Sequence, residues 1–179
     1  MGKIVITGGP SAGKTTTIDC LKELGFETVS ESALRVIRQQ ARLENAILPW
    51  TNPAKFQELA FAIQSEDERK CNGSNVFLDR CLVDIKAYCN FFKAREPEGL
   101  GEAIKEAAYE RVLFLESLPE EYWQKTMNGK PRKNSFEDGL RIAELIFKEF
   151  ENAGFEIARV PVMPVKERTE WILQSLGLK

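Results

Sequence analysis

Short apolar runs rich in Val, Ile and Phe alternate along the chain with longer stretches whose apolar residues recur at helical spacing, the pattern of βα units built around a parallel sheet. Five runs read as strands: Lys3 to Thr7, Phe26 to Ser30, Asn75 to Asp79, Arg111 to Glu116 and Glu156 to Val160. Each is short enough for a strand buried on both faces. Helices fill the gaps. The first opens inside a glycine-rich segment and runs to about Leu24, where Gly25 offers a C-terminal cap. The second follows Glu31. The third starts near Asn52-Pro53, with Asn as N-cap and Pro at the first helical position, and continues through Phe56, Leu59, Ala60 and Ile63. The fourth carries Leu82, Ile85, Cys89 and Phe92 on one face, and Pro97 and Gly99 break it before a short helix around Ile104. A polar stretch from Leu118 to Asn134 then precedes Ser135 and Asp138, which fit an S-x-x-acid cap for the next helix. The last strand passes Pro161 and Pro164 into a C-terminal helix ending at Gly177.

A length of 179 residues is the usual size of one domain and buries a core without disulfides or metals, so a single domain over 1–179 is expected. The net charge of -2 and 29% charged residues give no reason to expect nucleic acid as a partner. Four scattered cysteines without a C-x-x-C pair, and no histidine, argue against a zinc site or a histidine-based triad. The apolar run after Met1 is too short for a signal-peptide core, and no run approaches membrane-spanning length, so no membrane association and a cytoplasmic setting are expected.

The segment Gly8-Gly9-Pro10-Ser11-Ala12-Gly13-Lys14-Thr15 satisfies G-x-x-x-x-G-K-[ST] and lies between an apolar strand and a helix, the context its chemistry needs. The glycines let successive N–H groups turn toward phosphate oxygens, and the following helix dipole reinforces the anion site. Backbone through Thr15 and Thr16 forms the cradle, Lys14 supplies charge to the β and γ phosphates, and the Thr15 hydroxyl is placed to ligate Mg2+. A nucleoside triphosphate, ATP or alternatively GTP, is the implied ligand.

In an open α/β sheet ligands bind beyond the carboxyl ends of the strands, which directs attention to the polar residue after each strand. Asp79 ends an apolar strand as a second Mg2+ ligand or proton acceptor would; as an alternative it caps the helix starting near Cys81. Arg80 and Asp84 can pair across one helical turn, either as a structural pair or with Arg80 reaching a phosphate or substrate hydroxyl. Glu31 stands where a general base for an acceptor hydroxyl would sit, or is a first-turn acid paired with Arg35. Phosphoryl transfer also needs positive charge that closes over the γ phosphate, and Lys130-Pro131-Arg132-Lys133, within a lid candidate at 118–141, supplies it unless it is simply a solvated basic loop. Gln57, Gln64 and Trp50 suit a base or ring binder, although surface glutamines and a packing tryptophan are the plainer account.

Together the phosphate loop, Glu31-Ser32-Ala33-Leu34-Arg35, Asp79-Arg80 with Asp84, and Asp138-Gly139-Leu140-Arg141 resemble the AAA-domain-like group of small P-loop ATPases and kinases, similar to the ribosylnicotinamide kinase domain of the bacterial NAD-biosynthesis regulator. The resemblance spans nearly the whole chain. It implies a three-layer P-loop nucleoside-kinase-like fold with sheet order 2-3-1-4-5, helices on both faces, a lid between the fourth strand and the next helix, and ATP with Mg2+ at the loop. It also implies that Arg132 or Arg141 contacts phosphates from the lid side. The expected acceptor is a small molecule such as a nucleoside or nicotinamide riboside, an identity that the resemblance itself does not carry over.

Three other readings compete. A guanine switch would need N-K-x-D and D-x-x-G motifs, and the chain has neither. A larger AAA engine normally places a glutamate after the strand-end aspartate to activate water; here that residue is Arg80, which favours an organic acceptor. A regulatory or adaptor module acting through a protein partner keeps the loop and stays open.

Overall fold

The computed structural model describes residues 2–123, 126–127, 130–131 and 133–178. Its central sheet is built from β1 (Lys3–Gly8), β2 (Thr28–Val29), β3 (Val76–Asp79), β4 (Tyr109–Leu115) and β7 (Ile157–Val160), ordered β2-β3-β1-β4-β7 with every pairing parallel. In chain order these five strands give 2-3-1-4-5. Between them run α1 (Lys14–Glu23), α2 (Ser32–Gln40), α3 (Pro53–Lys70), α4 (Leu82–Phe92), α5 (Leu100–Glu106), α6 (Phe136–Asn152) and α7 (Val165–Ser175).

Alternation within β1 explains the layers. Ile4 and Ile6 point to one face, where α1 and α7 cover them with Ile18, Leu21 and Ile172. Val5 points to the other, beneath α2 to α6, in a cluster that includes Val36, Phe56, Ile85, Leu100 and Ile146. A strand buried on both sides can be apolar throughout, which is why β1 and β3 contain no exposed position.

Local chemistry sets several boundaries as expected. The Asn52 side chain accepts from the Lys55 N–H with Pro53 behind it. Ser135 and Asp138 form a reciprocal capping box on α6. Other expectations need correction. The second strand is only Thr28–Val29, because it is an edge strand whose flanking Phe26 turns away to pack edge-on against Phe77. The polar stretch after β4 holds a short 3-10 turn (Glu120–Tyr122) and a two-residue antiparallel pair, β5 (Thr126–Met127) with β6 (Lys130–Pro131). Trp123 folds back from this stretch onto Gly139, where any side chain would collide with its ring. No helix among the described residues is long and apolar enough to cross a membrane.

Candidate functional site

The phosphate loop leaves β1 at Gly8, whose φ of 135° and approach to the Leu115 carbonyl exclude a side chain. It enters α1 at Gly13, whose φ is 83°. Carbonyls of the loop face outward onto one guanidinium. Arg168, from α7, is buried and donates to the Ala12 carbonyl and the Gly13 carbonyl, each at 3.2 Å. With those carbonyls held outside, the loop's N–H groups are free to turn in toward an anion. Nothing local to the loop signals Arg168; its role rests on a contact across almost the whole chain.

Inside the loop, the Lys14 ammonium donates to the Gly9 carbonyl at 2.6 Å. Burial and the Arg80 charge pull its pKa down to about 7, against the attraction of Asp79, Glu31 and Asp84. The Thr15 hydroxyl donates to Asp79 Oδ2 at 3.0 Å. Asp79 Oδ1 is buried without a hydrogen-bond partner, and burial together with the Glu31 carboxylate pushes the Asp79 pKa up to about 6. A hydroxyl beside a carboxylate with one unsatisfied oxygen suits a hard divalent cation such as Mg2+, which prefers oxygen ligands. The cap of α4 is Cys81, not Asp79, so the capping alternative for Asp79 falls. Thr16 lies exposed on the first turn of α1, and Pro10 lines the neighbouring cavity.

Arg80 joins the loop to the N-cap of α2, just beyond the second strand. Its Nε donates to Glu31 at 3.1 Å, and its Nη1 donates to the Gly8 carbonyl at 3.1 Å and to Asp84 at 2.9 Å. The guanidinium carbon lies 5.3 Å from the centre of the Tyr88 ring. Asp84 completes the clamp, accepting also from the Thr7 hydroxyl at 2.6 Å and from the Cys81 N–H at 3.0 Å. The helical-turn pair of Arg80 and Asp84 therefore forms, and Arg80 reaches the site at the same time. Arg35 pairs with Asp67 rather than with Glu31, because α3 supplies a closer carboxylate.

Beside Glu31 and Arg80 opens a cavity of about 520 Å³. Its walls include Leu48, Trp50, Phe56, Tyr88 and Phe92, and Gln57 lies within them. Gln64 is instead buried against Glu68 and the Arg80 carbonyl. Lys133 reaches the cavity wall from the lid candidate. Arg132 lies outside the described residues, and Arg141 is exposed on α6 with its guanidinium over Phe91, at 6.0 Å, rather than at the loop.

The model of a family described as an AAA domain matches residues 3–168, and the chain belongs to that family. Among solved structures it is similar to the NadR protein in complex with NR, with a TM-score of 0.74 and 14% identity over 99% of this chain; it spans only 52% of that protein. It is similar to deoxyadenosine kinase from M. mycoides with dCMP and dCDP bound, with a TM-score of 0.66 and 16% identity over 98% of both chains. Thymidylate kinase from Candida albicans follows with a TM-score of 0.63 and 13% identity, over 98% of this chain and 91% of that one. At these identities the likeness shows the P-loop nucleoside-kinase fold. Comparison with curated proteins gives no match.

Proposed function

We propose that the protein is a phosphotransferase that moves the γ-phosphoryl group of ATP to a hydroxyl of a small acceptor, such as a nucleoside or nicotinamide riboside, seated in the cavity beside the phosphate loop. One observation carries the reading: a roomy cavity with aromatic walls meets the loop at Pro10, and a carboxylate held by an arginine, Glu31 with Arg80, stands in its lining. A water-directed NTPase has no need of a second cavity of this size. The kinase names among the structural neighbours, and the NadR neighbour solved with NR, support the same class.

Loop amides and Lys14 hold the β and γ phosphates, while Thr15 and Asp79 hold Mg2+, which when bound neutralises charge on the transferring group. Glu31 faces the cavity and takes the proton of the attacking hydroxyl; Asp79, committed to Thr15, does not line it. Arg80 fixes Glu31 and ties it to the start of the loop. Trp50 and Tyr88 offer flat surfaces for an aromatic ring.

The test is a coupled ADP-release assay with ATP and Mg2+ against nucleosides, nicotinamide riboside, nucleoside monophosphates and vitamins. Acceptor-dependent turnover is expected, absent in Lys14→Ala and reduced about a hundredfold or more in Glu31→Gln. Tight nucleotide binding with no acceptor raising turnover would replace this reading by a regulatory NTPase module.

A further inference from the structure

Behind the Arg80 turn lies a buried polar cluster that the chemistry above does not use. Glu68, near the end of α3, is 4% exposed. Its carboxylate accepts from the Tyr109 hydroxyl at 2.8 and 3.1 Å and from the Gln64 side-chain amide at 2.9 Å, with the Lys3 ammonium 3.9 Å away. Burial pushes its pKa up despite these partners. An apolar side chain of similar volume would fill the same space without that cost.

Two members of the cluster grip the backbone that carries the site. Gln64 also donates to the Arg80 carbonyl at 3.4 Å, and the Tyr109 hydroxyl accepts from the Leu82 N–H at 3.3 Å. The other anchors of this turn are the Arg80 N–H on the Ile6 carbonyl at 3.0 Å and the Cys81 N–H on Asp84 at 3.0 Å. Such anchoring has a purpose, because Arg80 has a φ of 71°, a left-handed conformation that a long side chain avoids. Relaxed to ordinary backbone angles, residue 80 would project its guanidinium elsewhere, and Glu31 and the Gly8 carbonyl would lose the donor that joins them.

We propose that Glu68, acting through Gln64 and Tyr109, holds the Arg80 turn in its left-handed form and thereby positions the Arg80 guanidinium against Glu31. All three are positioning residues. Their effect on turnover rests on Glu31 being the base proposed above; their effect on Arg80 geometry does not.

The experiment uses two nearly isosteric variants, Tyr109→Phe and Gln64→Met, with Glu68→Gln as a third should either fail to fold. In the first arm the Arg80 Nε–H resonance, assigned by its loss in Arg80→Lys, is followed by NMR in the nucleotide-free protein. The variants are expected to shift or broaden it while the backbone amide spectrum stays that of a folded chain. A resonance unchanged in the folded variants overturns the proposal. In the second arm kcat for acceptor phosphorylation is expected to fall about tenfold, with nucleotide Kd within about twofold of wild type. That loss should vanish when the same change is made in Glu31→Gln, since a misplaced clamp cannot harm a base already removed. A kcat loss that persists in that background, or a drop in stability with kcat intact, overturns the proposal. If the wild-type protein phosphorylates no acceptor, the proposed function fails, and the NMR arm alone decides the positioning role.

Discussion

Replacing Asp79 by asparagine should stabilise the nucleotide-free protein while removing the Mg2+ dependence that the proposed function assigns to it. The carboxylate is 2% exposed and has one oxygen without a hydrogen-bond partner. Burial is the main reason its pKa rises from 3.8 to about 6. At roughly 1.36 kcal/mol per pH unit, that rise means the charged form costs the folded state about 3 kcal/mol. Asparagine removes the charge, keeps an oxygen for the Thr15 hydroxyl and preserves the shape. Part of the gain is offset, because asparagine brings an amide donor into a buried place where Asp79 Oδ1 finds no hydrogen-bond partner. A net stabilisation of about 1–2 kcal/mol near pH 8 remains.

The sign of the pH dependence follows from the direction of the shift. A carboxyl whose folded pKa is raised binds its proton more tightly in the folded state, so its cost is fully present above about pH 6 and is gone below about pH 4. Urea denaturation of both proteins without nucleotide, repeated across that window, should show the advantage of Asp79→Asn shrinking as the pH falls. The comparison between the two proteins cancels the carboxylates that do not act on Asp79; Glu31, which helps to raise it, contributes to the same difference. An asparagine variant that is no more stable near pH 8, or an advantage that does not change with pH, would mean that the buried Asp79 charge does not destabilise the folded state. Calorimetry on the same samples should show that Mg2+ no longer strengthens nucleotide binding in the variant.

Arg168→Met should weaken nucleotide binding by tenfold or more, since two loop carbonyls lose a charged donor worth about 1.5–3 kcal/mol to each. Calorimetric Kd values check this, and a change confined to thermal stability would count against it. Trp50→Ala removes a ring that is 41% exposed at the cavity wall. Acceptor KM should rise about tenfold with nucleotide Kd unaltered, and an unchanged KM would take Trp50 out of the acceptor site.

What the sequence made legible and what it hid divide along contact distance. The phosphate loop, the Asn52 and Ser135 caps and the alternation of strands and helices are local. Each is written in residues a few positions apart, and the fold preserves them because the contacts that make them are local, as when Asn52 and Ser135 accept from backbone three residues on. Asp79 was legible for a related reason, since a charged residue that closes an otherwise apolar strand marks the carboxyl end of that strand, where ligands of an open α/β sheet bind. The partners of these residues were not. Glu31 meets Arg80 across 49 positions and Ala12 meets Arg168 across 156, so neither pairing leaves a periodic trace. Local spacing even misled, offering Arg35 to Glu31 when α3 brings Asp67 closer.

Arg80 shows why such long-range parts carry most of the site's design. Its identity was readable as the residue after a strand-end aspartate, yet its three acceptors and the cluster that anchors its left-handed turn come from β1, the N-cap of α2, α3, α4 and β4. A single side chain fixed from that many elements has little freedom left to lose when a ligand binds, and such low reorganisation is what the proposed role of Glu31 as a base for phosphoryl transfer requires.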